Sequence, residues 1–153
     1  MSIVETSVLI NAPADKVFDT MVNPKGIPKW APIASVSNIK GNAGEIGSSA
    51  DYTLADYKLL FFRVNVTQTM TVLEVDKPSK IIYEMAGGFP GKWTYTLKAE
   101  DDGVRVNTEV YYTVRYGFIG RMANKLIIQR VHQKKTEEFA TGLKAFCESK
   151  YVA

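Results

Sequence analysis

The sequence predicts an α+β fold in which one antiparallel sheet is covered on one face by a long C-terminal helix. Residues 3–10 and most of 35–114 alternate apolar and polar side chains with the period of half-buried strands. Residues 118–150 contain no Pro and carry apolar side chains at helical spacing. Short turns join the strands and leave no room for the helices that parallel crossovers need, so we expect antiparallel pairing.

Length and composition predict one soluble globular domain over residues 1–153. The chain is 46% hydrophobic and 23% charged, without repeats, low-complexity tracts or linkers. Its net charge of +3 is small and scattered, so we expect no nucleic-acid partner. We expect no stable membrane insertion either, because no stretch approaches the roughly 18 apolar residues of a membrane span. The N-terminus also lacks the features of a secretory signal.

The cysteine and histidine content argues against disulfide and metal chemistry. Cys147 stands alone, which excludes an internal disulfide and a cysteine-based metal cluster and favours a reducing compartment, the cytoplasm. His132 is the one histidine, so we do not expect a dedicated metal site. No Gly-rich loop opens a helix after a strand, so the sequence has no nucleotide-phosphate motif. We therefore expect no cofactor and, from the Cys and His content, no metal.

The N-terminal third predicts one strand followed by short helical segments. Residues 3–10 alternate as a strand that residues 11–13 end. Asn11 is placed to cap a short helix over 14–21. The four Pro and Gly residues between 24 and 32 leave room for only a turn or two of helix around 29–30.

The central part predicts six more strands, and one of them carries a polar residue on its apolar face. Gln68 lies on the same face as four apolar side chains of strand 63–75, so its amide needs partners in the protein or in a ligand. The turns Asp76–Ser79, Gly87–Gly91 and Asp101–Gly103 separate the later strands. The predicted strands cover about 36–39, 48–54, 63–75, 81–85, 92–98 and 104–112.

The C-terminal helix is predicted to change its buried face near Ile127. At about 100° per residue, the apolar residues before this point centre on one face and those after it on another. We interpret this either as a bend or as an N-terminal half covered by something other than the sheet. On this interpretation the mouth of a pocket lies near Met122 and Leu126.

Four segments in order resemble the START-like or polyketide cyclase/dehydrase (SRPBCC) superfamily. They are residues 8–18 (VLINAPADKVF), 29–32 (KWAP), 74–84 (EVDKPSKIIYE) and 142–148 (GLKAFCE). The resemblance implies a helix-grip fold: a curled seven-stranded sheet around the C-terminal helix, two short helices after the first strand, and a cavity between sheet and helix. Relatives bind lipids, sterols, polyketides, plant hormones or quinones, and a minority are cyclases or aromatases. No catalytic motif common to the family carries over.

The aromatic residues on apolar faces point to a pocket for a small hydrophobic molecule. Such pockets combine apolar walls with a few polar anchors, and Gln68 is the best anchor candidate; the alternative is that the aromatic residues simply fill the core. The candidate ligand-binding residues are Trp30, Tyr52, Gln68, Tyr83, Trp93, Tyr95, Tyr112, Met122, Leu126 and His132.

Catalysis is a weaker hypothesis, and its residues are not identified. His132 falls on the helix face predicted to meet the sheet, where it is either a general acid/base in the cavity or a core histidine hydrogen bonded to a neighbour. Cys147 lies near the helix end and is expected to be structural or incidental.

Three functions therefore remain open. The leading hypothesis is binding or transport of a small hydrophobic ligand such as a lipid, polyketide, quinone or sterol. The rival is a cyclase or aromatase that uses His132 or a Tyr as acid/base. The third is an interaction module that docks through the apolar tip Leu59, Leu60, Phe61 and Phe62. That tip is alternatively a gate over the pocket, a membrane contact or a buried strand extension.

Overall fold

The computed structural model confirms the α+β fold class, with a curled antiparallel sheet around a long C-terminal helix. It describes residues 2–33, 35–59, 62–100, 102–113 and 128–151, and of 55–59 and 62–64 only the backbone. The described elements are β1 (Ser2–Ile10), α1 (Ala14–Val22), a 3-10 turn (Ile27–Lys29), β2 (Ser35–Lys40), β3 (Ser49–Leu59), β4 (Phe62–Asp76), β5 (Lys80–Gly87), β6 (Gly91–Glu100), β7 (Gly103–Tyr112) and α2 (Gln129–Tyr151).

The strands form one seven-stranded sheet in the order β1-β7-β6-β5-β4-β3-β2. Every neighbouring pair is antiparallel, and β2 through β7 follow one another by hairpins. The hairpins fall at the predicted turns. Asp76 pairs with Lys80 at the end of the β4–β5 hairpin, and Glu100 pairs with Gly103 at the end of the β6–β7 hairpin. The short turn sequences thus set the strand order along the sheet.

A bulge in β4 reverses which side chains face the core. Val72 pairs with Tyr83, but Glu74 pairs with Ile82, so Leu73 is the extra residue. Before the bulge the side chains of Val66, Gln68, Met70 and Val72 point inward, and after it Val75 packs against the core instead. One inserted residue changes the facing of every later side chain, which explains why the simple alternation ends at Val72.

The helical segments after β1 differ in detail from the prediction. Pro13, and not Asn11, is the N-cap of α1, and no side chain caps that end of the helix. The backbone N–H of Asn11 instead donates to Glu148 Oε1 at 3.1 Å, so this residue ties β1 to α2. The second short helix is a single 3-10 turn, since the prolines around it leave too few free N–H groups for a longer helix.

Polar contacts anchor α2 along β1. Lys144 Nζ donates to the Leu9 carbonyl at 2.7 Å and pairs with Glu148 at 2.6 Å, and Gln133 Nε2 donates to the Glu5 carbonyl at 3.2 Å. These bonds to backbone carbonyls of the edge strand fix the position of α2 relative to the sheet. The adjacent face of α2, which carries Thr136, Ala140, Leu143 and Cys147, is thereby buried against the interior.

Gly142 allows α2 to touch the segment after α1. A Cβ atom at this position would overlap the carbonyl oxygen of Trp30. Because the obstructing atom belongs to the backbone, it cannot turn aside as a flexible side chain would. The absence of a side chain at Gly142 thus sets how closely Trp30 approaches the helix.

Some predictions concern residues outside the described part of the chain. These are the helix over 118–127, the change of face at Ile127 and the pocket mouth near Met122 and Leu126, all of which stay predictions. At the apolar tip, β3 and β4 pair as far as Leu59 and Phe62, which leaves a two-residue connection. Leu60 and Phe61 lie outside the description, so a gate or partner contact at the tip also stays a prediction. No helix among the described residues is both long and apolar enough to cross a lipid bilayer.

A candidate ligand cavity between the sheet and the C-terminal helix

A cavity lies between the concave face of the sheet, the segment after α1 and one face of α2. Its space not occupied by atoms is about 800 Å³, including the part open to solvent. The described residues that line it are Met21, Ile27, Trp30, Ile33, Tyr52, Leu54, Val66, Gln68, Met70, Tyr83, Met85, Phe89, Trp93, Tyr95, Val110, His132, Lys135, Thr136 and Phe139.

Strand periodicity determines which sheet residues reach the cavity. The lining residues of β3, β4, β5 and β6 are alternate positions of each strand, which therefore point to the same side of the sheet. The antiparallel register then sets them side by side, with Tyr52 opposite Gln68, Met70 opposite Met85, and Tyr83 opposite Trp93. The result is a continuous apolar wall with few polar atoms.

Aromatic rings join the helix to the sheet across one side of the cavity. The ring of Phe139 on α2 meets Trp30 at a centroid distance of 6.0 Å and Trp93 at 5.2 Å, both edge to face. Trp93 in turn meets Tyr95 at 5.8 Å. Such edge-to-face pairs stabilise an arrangement beyond the burial of their area. Phe139 thus holds the helix against the aromatic wall.

Gln68 finds its hydrogen-bond partners in the protein. Its Nε2 donates to the carbonyl of Phe89 at 3.0 Å, and the N–H of Phe89 donates to its Oε1 at 2.9 Å. Nε2 also lies 3.7 Å from the sulfur of Met85. The amide lines the cavity, but it serves mainly to hold the loop between β5 and β6 against β4.

His132 reaches the cavity as a neutral imidazole. Its ring packs edge to face on Phe89 at 4.5 Å and tilted on Tyr112 at 4.0 Å. Burial among these rings lowers the pKa of His132 to about 4, because a charged imidazolium would lose its hydration there. Near neutral pH the ring therefore carries no charge.

Three tyrosine hydroxyls lie together inside the cavity wall. Burial raises the pKa of Tyr52 to about 12, and it raises the pKa of Tyr83 and of Tyr95 as well, helped by the neighbouring phenols. The hydroxyls of Tyr52 and Tyr83 make no hydrogen bond to another residue in the described ranges, and the Tyr95 hydroxyl has the Trp93 indole N–H as its neighbour. They are neutral groups that can donate or accept a hydrogen bond.

Two indole N–H groups are enclosed in the same region. Neither Trp30 Nε1 nor Trp93 Nε1 has a hydrogen-bond partner within the part of the chain that the structure describes. The Trp93 indole N–H lies close enough to the Tyr95 hydroxyl to act against the rise in its pKa, but the two groups do not have the geometry of a hydrogen bond. An indole N–H can only donate, so both groups lack an acceptor.

Most residues predicted to bind a ligand line the cavity, and Tyr112 does not. Tyr112 is fully buried and packs against His132 and Phe89, so it supports two lining residues from behind. Met122 and Leu126 lie outside the described residues. The predicted residues on the cavity wall are Trp30, Tyr52, Gln68, Tyr83, Trp93, Tyr95 and His132.

Several lining residues were not predicted from the sequence. Lys135, Thr136 and Phe139 follow His132 on the same face of α2, and this helical spacing was the available signal. Phe89 lies in a turn, where no periodicity indicates which way a side chain points. Lys135 is the one charged residue among the described lining residues.

The sequence matches a family model over residues 1–148. That model is described as polyketide cyclase / dehydrase and lipid transport. No curated protein matches the sequence.

Solved structures share the fold at low sequence identity. The protein TTHA0849 from Thermus thermophilus has a TM-score of 0.77 at 17% identity, with 97% of this chain and 98% of that chain covered. The KanY protein has a TM-score of 0.75 at 19% identity, covering 96% and 97%. A protein from Rhizobium leguminosarum has a TM-score of 0.74 at 16% identity, covering 97% and 95%. These likenesses show the fold alone.

Proposed function

The chain belongs to the polyketide cyclase/dehydrase and lipid transport family, and on this premise we propose that it binds or carries a small hydrophobic molecule between the sheet and α2. The observation that carries the proposal is the cavity between the sheet and α2, whose lining is mostly aliphatic and aromatic. Removing a ligand's apolar surface from water supplies the affinity, at roughly 25 cal/mol for each Å² buried.

The polar groups of the cavity suit orientation of a ligand. The amide of Gln68 is already bonded to Phe89, so it shapes the wall. The hydroxyls of Tyr52 and Tyr83 make no hydrogen bond to other described residues, and with the hydroxyl of Tyr95 they are among the groups available to a ligand. A few such groups in an apolar pocket select the pose of a ligand and add specificity.

The protonation state of His132 favours a carrier function over an enzyme that uses this residue as its acid or base. A general base works best when its pKa is near the working pH. The pKa of His132 is lowered to about 4, so at neutral pH the imidazole is a poor proton acceptor and has almost no proton to give as an acid. We assign it to the packing of the wall with Phe89.

A cyclase or aromatase-type reaction is the second candidate, supported by the neutral phenols. A neutral tyrosine hydroxyl can donate to a carbonyl oxygen on which negative charge develops. If the protein is such an enzyme, Tyr95→Phe reduces turnover of a polyketide-like substrate while its binding persists. For an enzyme that relies on His132, His132→Ala abolishes turnover with binding retained. Turnover unchanged in both variants rejects this candidate.

Ligand screening by intrinsic fluorescence tests the carrier function. The chain has two tryptophans, Trp30 and Trp93, and both line the cavity, so their emission reports its occupancy. Lipids, sterols, quinones and aromatic polyketides are titrated, and binding should also raise the melting temperature. No response to any of these ligands contradicts the proposal.

A matched pair of variants locates the binding. Phe139→Trp adds bulk to the cavity wall and should weaken binding by about tenfold or more, since even one methylene group of misfit in a hydrophobic pocket has an effect of that size. Phe146→Trp adds the same bulk to a half-buried position of α2 that packs on the core away from the lining. If the two variants bind the ligand with equal affinity and have similar melting temperatures, the ligand does not bind in this cavity.

We place this activity in the cytoplasm. Cys147 is fully buried and the pKa of its thiol is raised by burial to about 11, so it is an inert core residue in a chain without an internal disulfide. Proteins without disulfides are usual in reducing compartments.

A further inference from the structure

Lys135, the charged residue among the described lining side chains, lies on the face of α2 that carries the other lining residues of this helix. Lys135 follows His132 by three residues and precedes Phe139 by four, and both neighbours line the cavity. Its side chain is only 21% exposed. A cation held beside an apolar space is costly to desolvate unless an anion accompanies it.

The protein offers Lys135 a weak partner. Its Nζ lies 3.5 Å from Glu138 Oε2, longer than a charge-assisted hydrogen bond, and the Glu138 side chain is 40% exposed. Exposed pairs of this kind contribute little. The ammonium makes no hydrogen bond to another residue in the described ranges.

Lys144 shows how a structural lysine on the same helix is held. Its Nζ bonds the Leu9 carbonyl at 2.7 Å and Glu148 at 2.6 Å. Both contacts have the length of strong charge-assisted hydrogen bonds. Lys135 lacks any contact of this quality within the described structure, although its surroundings are more apolar.

The enclosed groups nearby are also donors that lack acceptors. Trp30 is more than nine-tenths buried, and its indole N–H has no partner among the described residues; the same is true of the Trp93 indole N–H. Lysine and indole groups cannot accept hydrogen bonds. A ligand that complements this cavity must therefore supply acceptor oxygens.

From this arrangement we infer that the ligand is an apolar carboxylic acid, bound as its anion with the carboxylate at Lys135 and the hydrocarbon body in the cavity. The inference rests on the proposed carrier function and specifies, in addition, that the ligand is negatively charged. The carboxylate displaces the loose contact with Glu138 and completes the hydrogen bonds of the ammonium. An additional carbonyl or hydroxyl oxygen on the body of the ligand finds donors in the two indoles and the tyrosines.

Matched acids and esters test the charge requirement. Dodecanoic acid and a naphthoic acid are each compared with their methyl esters by tryptophan fluorescence, so that one arm represents fatty acids and the other aromatic acids. The acid should bind about tenfold more tightly than its ester, as expected for one charged hydrogen bond. Equal binding of acid and ester in both arms overturns the inference and leaves the carrier function standing.

Variants of Lys135 assign the preference to this residue. Lys135→Met should lower the affinity for the acid about tenfold, to that of the ester, and Lys135→Arg should keep most of the preference. Lys134→Met removes an adjacent exposed charge that does not line the cavity, and should change nothing. A preference that survives in Lys135→Met overturns the inference. If neither acids nor esters bind, the proposed carrier function fails as well.

Discussion

The side-chain amide of Gln68 is hydrogen bonded at both ends to the backbone of Phe89, in the loop between β5 and β6. The two residues are 21 positions apart, and the amide satisfies one donor and one acceptor of the loop. This contact fixes the ring of Phe89 against His132 and Tyr112. A polar residue on an apolar strand face thus shapes one wall of the cavity.

Replacing Gln68 by Met should destabilise the protein by about 2 kcal/mol, because two buried hydrogen bonds to the Phe89 backbone are lost. The volume of the side chain is nearly conserved, so the loss reports the hydrogen bonds and not a void. The free energy of unfolding in urea measures it. Asn65→Ala, an exposed position of the same strand, is the control and should change stability by less than about 0.5 kcal/mol. A similar value for both variants would mean that the amide does not hold the loop.

Gly142→Ala should destabilise the protein by about 2 kcal/mol, against the gain of about 1 kcal/mol that helix propensity alone predicts. The new methyl group would overlap the Trp30 carbonyl and force the segment away from α2. Thermal unfolding measures the effect. Thr141→Ala, at the exposed neighbouring position, should be neutral or slightly stabilising. A more stable Gly142→Ala protein would show that the two backbones are not in close contact.

Stability should fall by about 2 kcal/mol from about pH 7 to about pH 5 because of His132. Its pKa is lowered from 6.5 to about 4 by folding, so in this window the unfolded chain takes up a proton that the folded chain does not. Stability is thus fully present above pH 6.5 and is lost as the pH falls toward 4. Urea unfolding at several pH values measures the slope, and His132→Asn should flatten it. The same slope in both proteins would contradict a buried neutral imidazole.

Alkaline pH should also destabilise the fold, through the cavity tyrosines. The pKa of Tyr52 is raised from 10.0 to about 12, and burial raises that of Tyr83 and of Tyr95. Above about pH 10 the unfolded chain therefore releases protons that the folded chain retains, and stability falls as the pH rises through this range. The ultraviolet absorbance of tyrosinate should appear together with unfolding. In Tyr83→Phe this loss should be smaller; ionisation of all eight tyrosines before unfolding would refute the burial.

The strands, their inward faces and the class of the fold were predictable from the sequence alone. Alternation along 3–10 or 81–85 is a local property, because a strand that faces a core on one side needs apolar residues at every second position. Turn sequences such as Asp76–Ser79 are equally local. The same periodicity placed Tyr83 and Trp93 on the apolar side, where the structure finds the cavity wall.

The contacts between elements that are distant in sequence were decided only by the tertiary structure. Whether the Gln68 amide forms its hydrogen bonds with the protein or with a ligand depended on the position of the loop that carries Phe89. No sequence pattern near either residue indicates how close the two lie. Helical spacing set Lys135 beside His132, but what faces its ammonium is determined by how β1 anchors α2. The close approach of Gly142 to Trp30 arises in the same way, since packing between elements is a property of two surfaces at once.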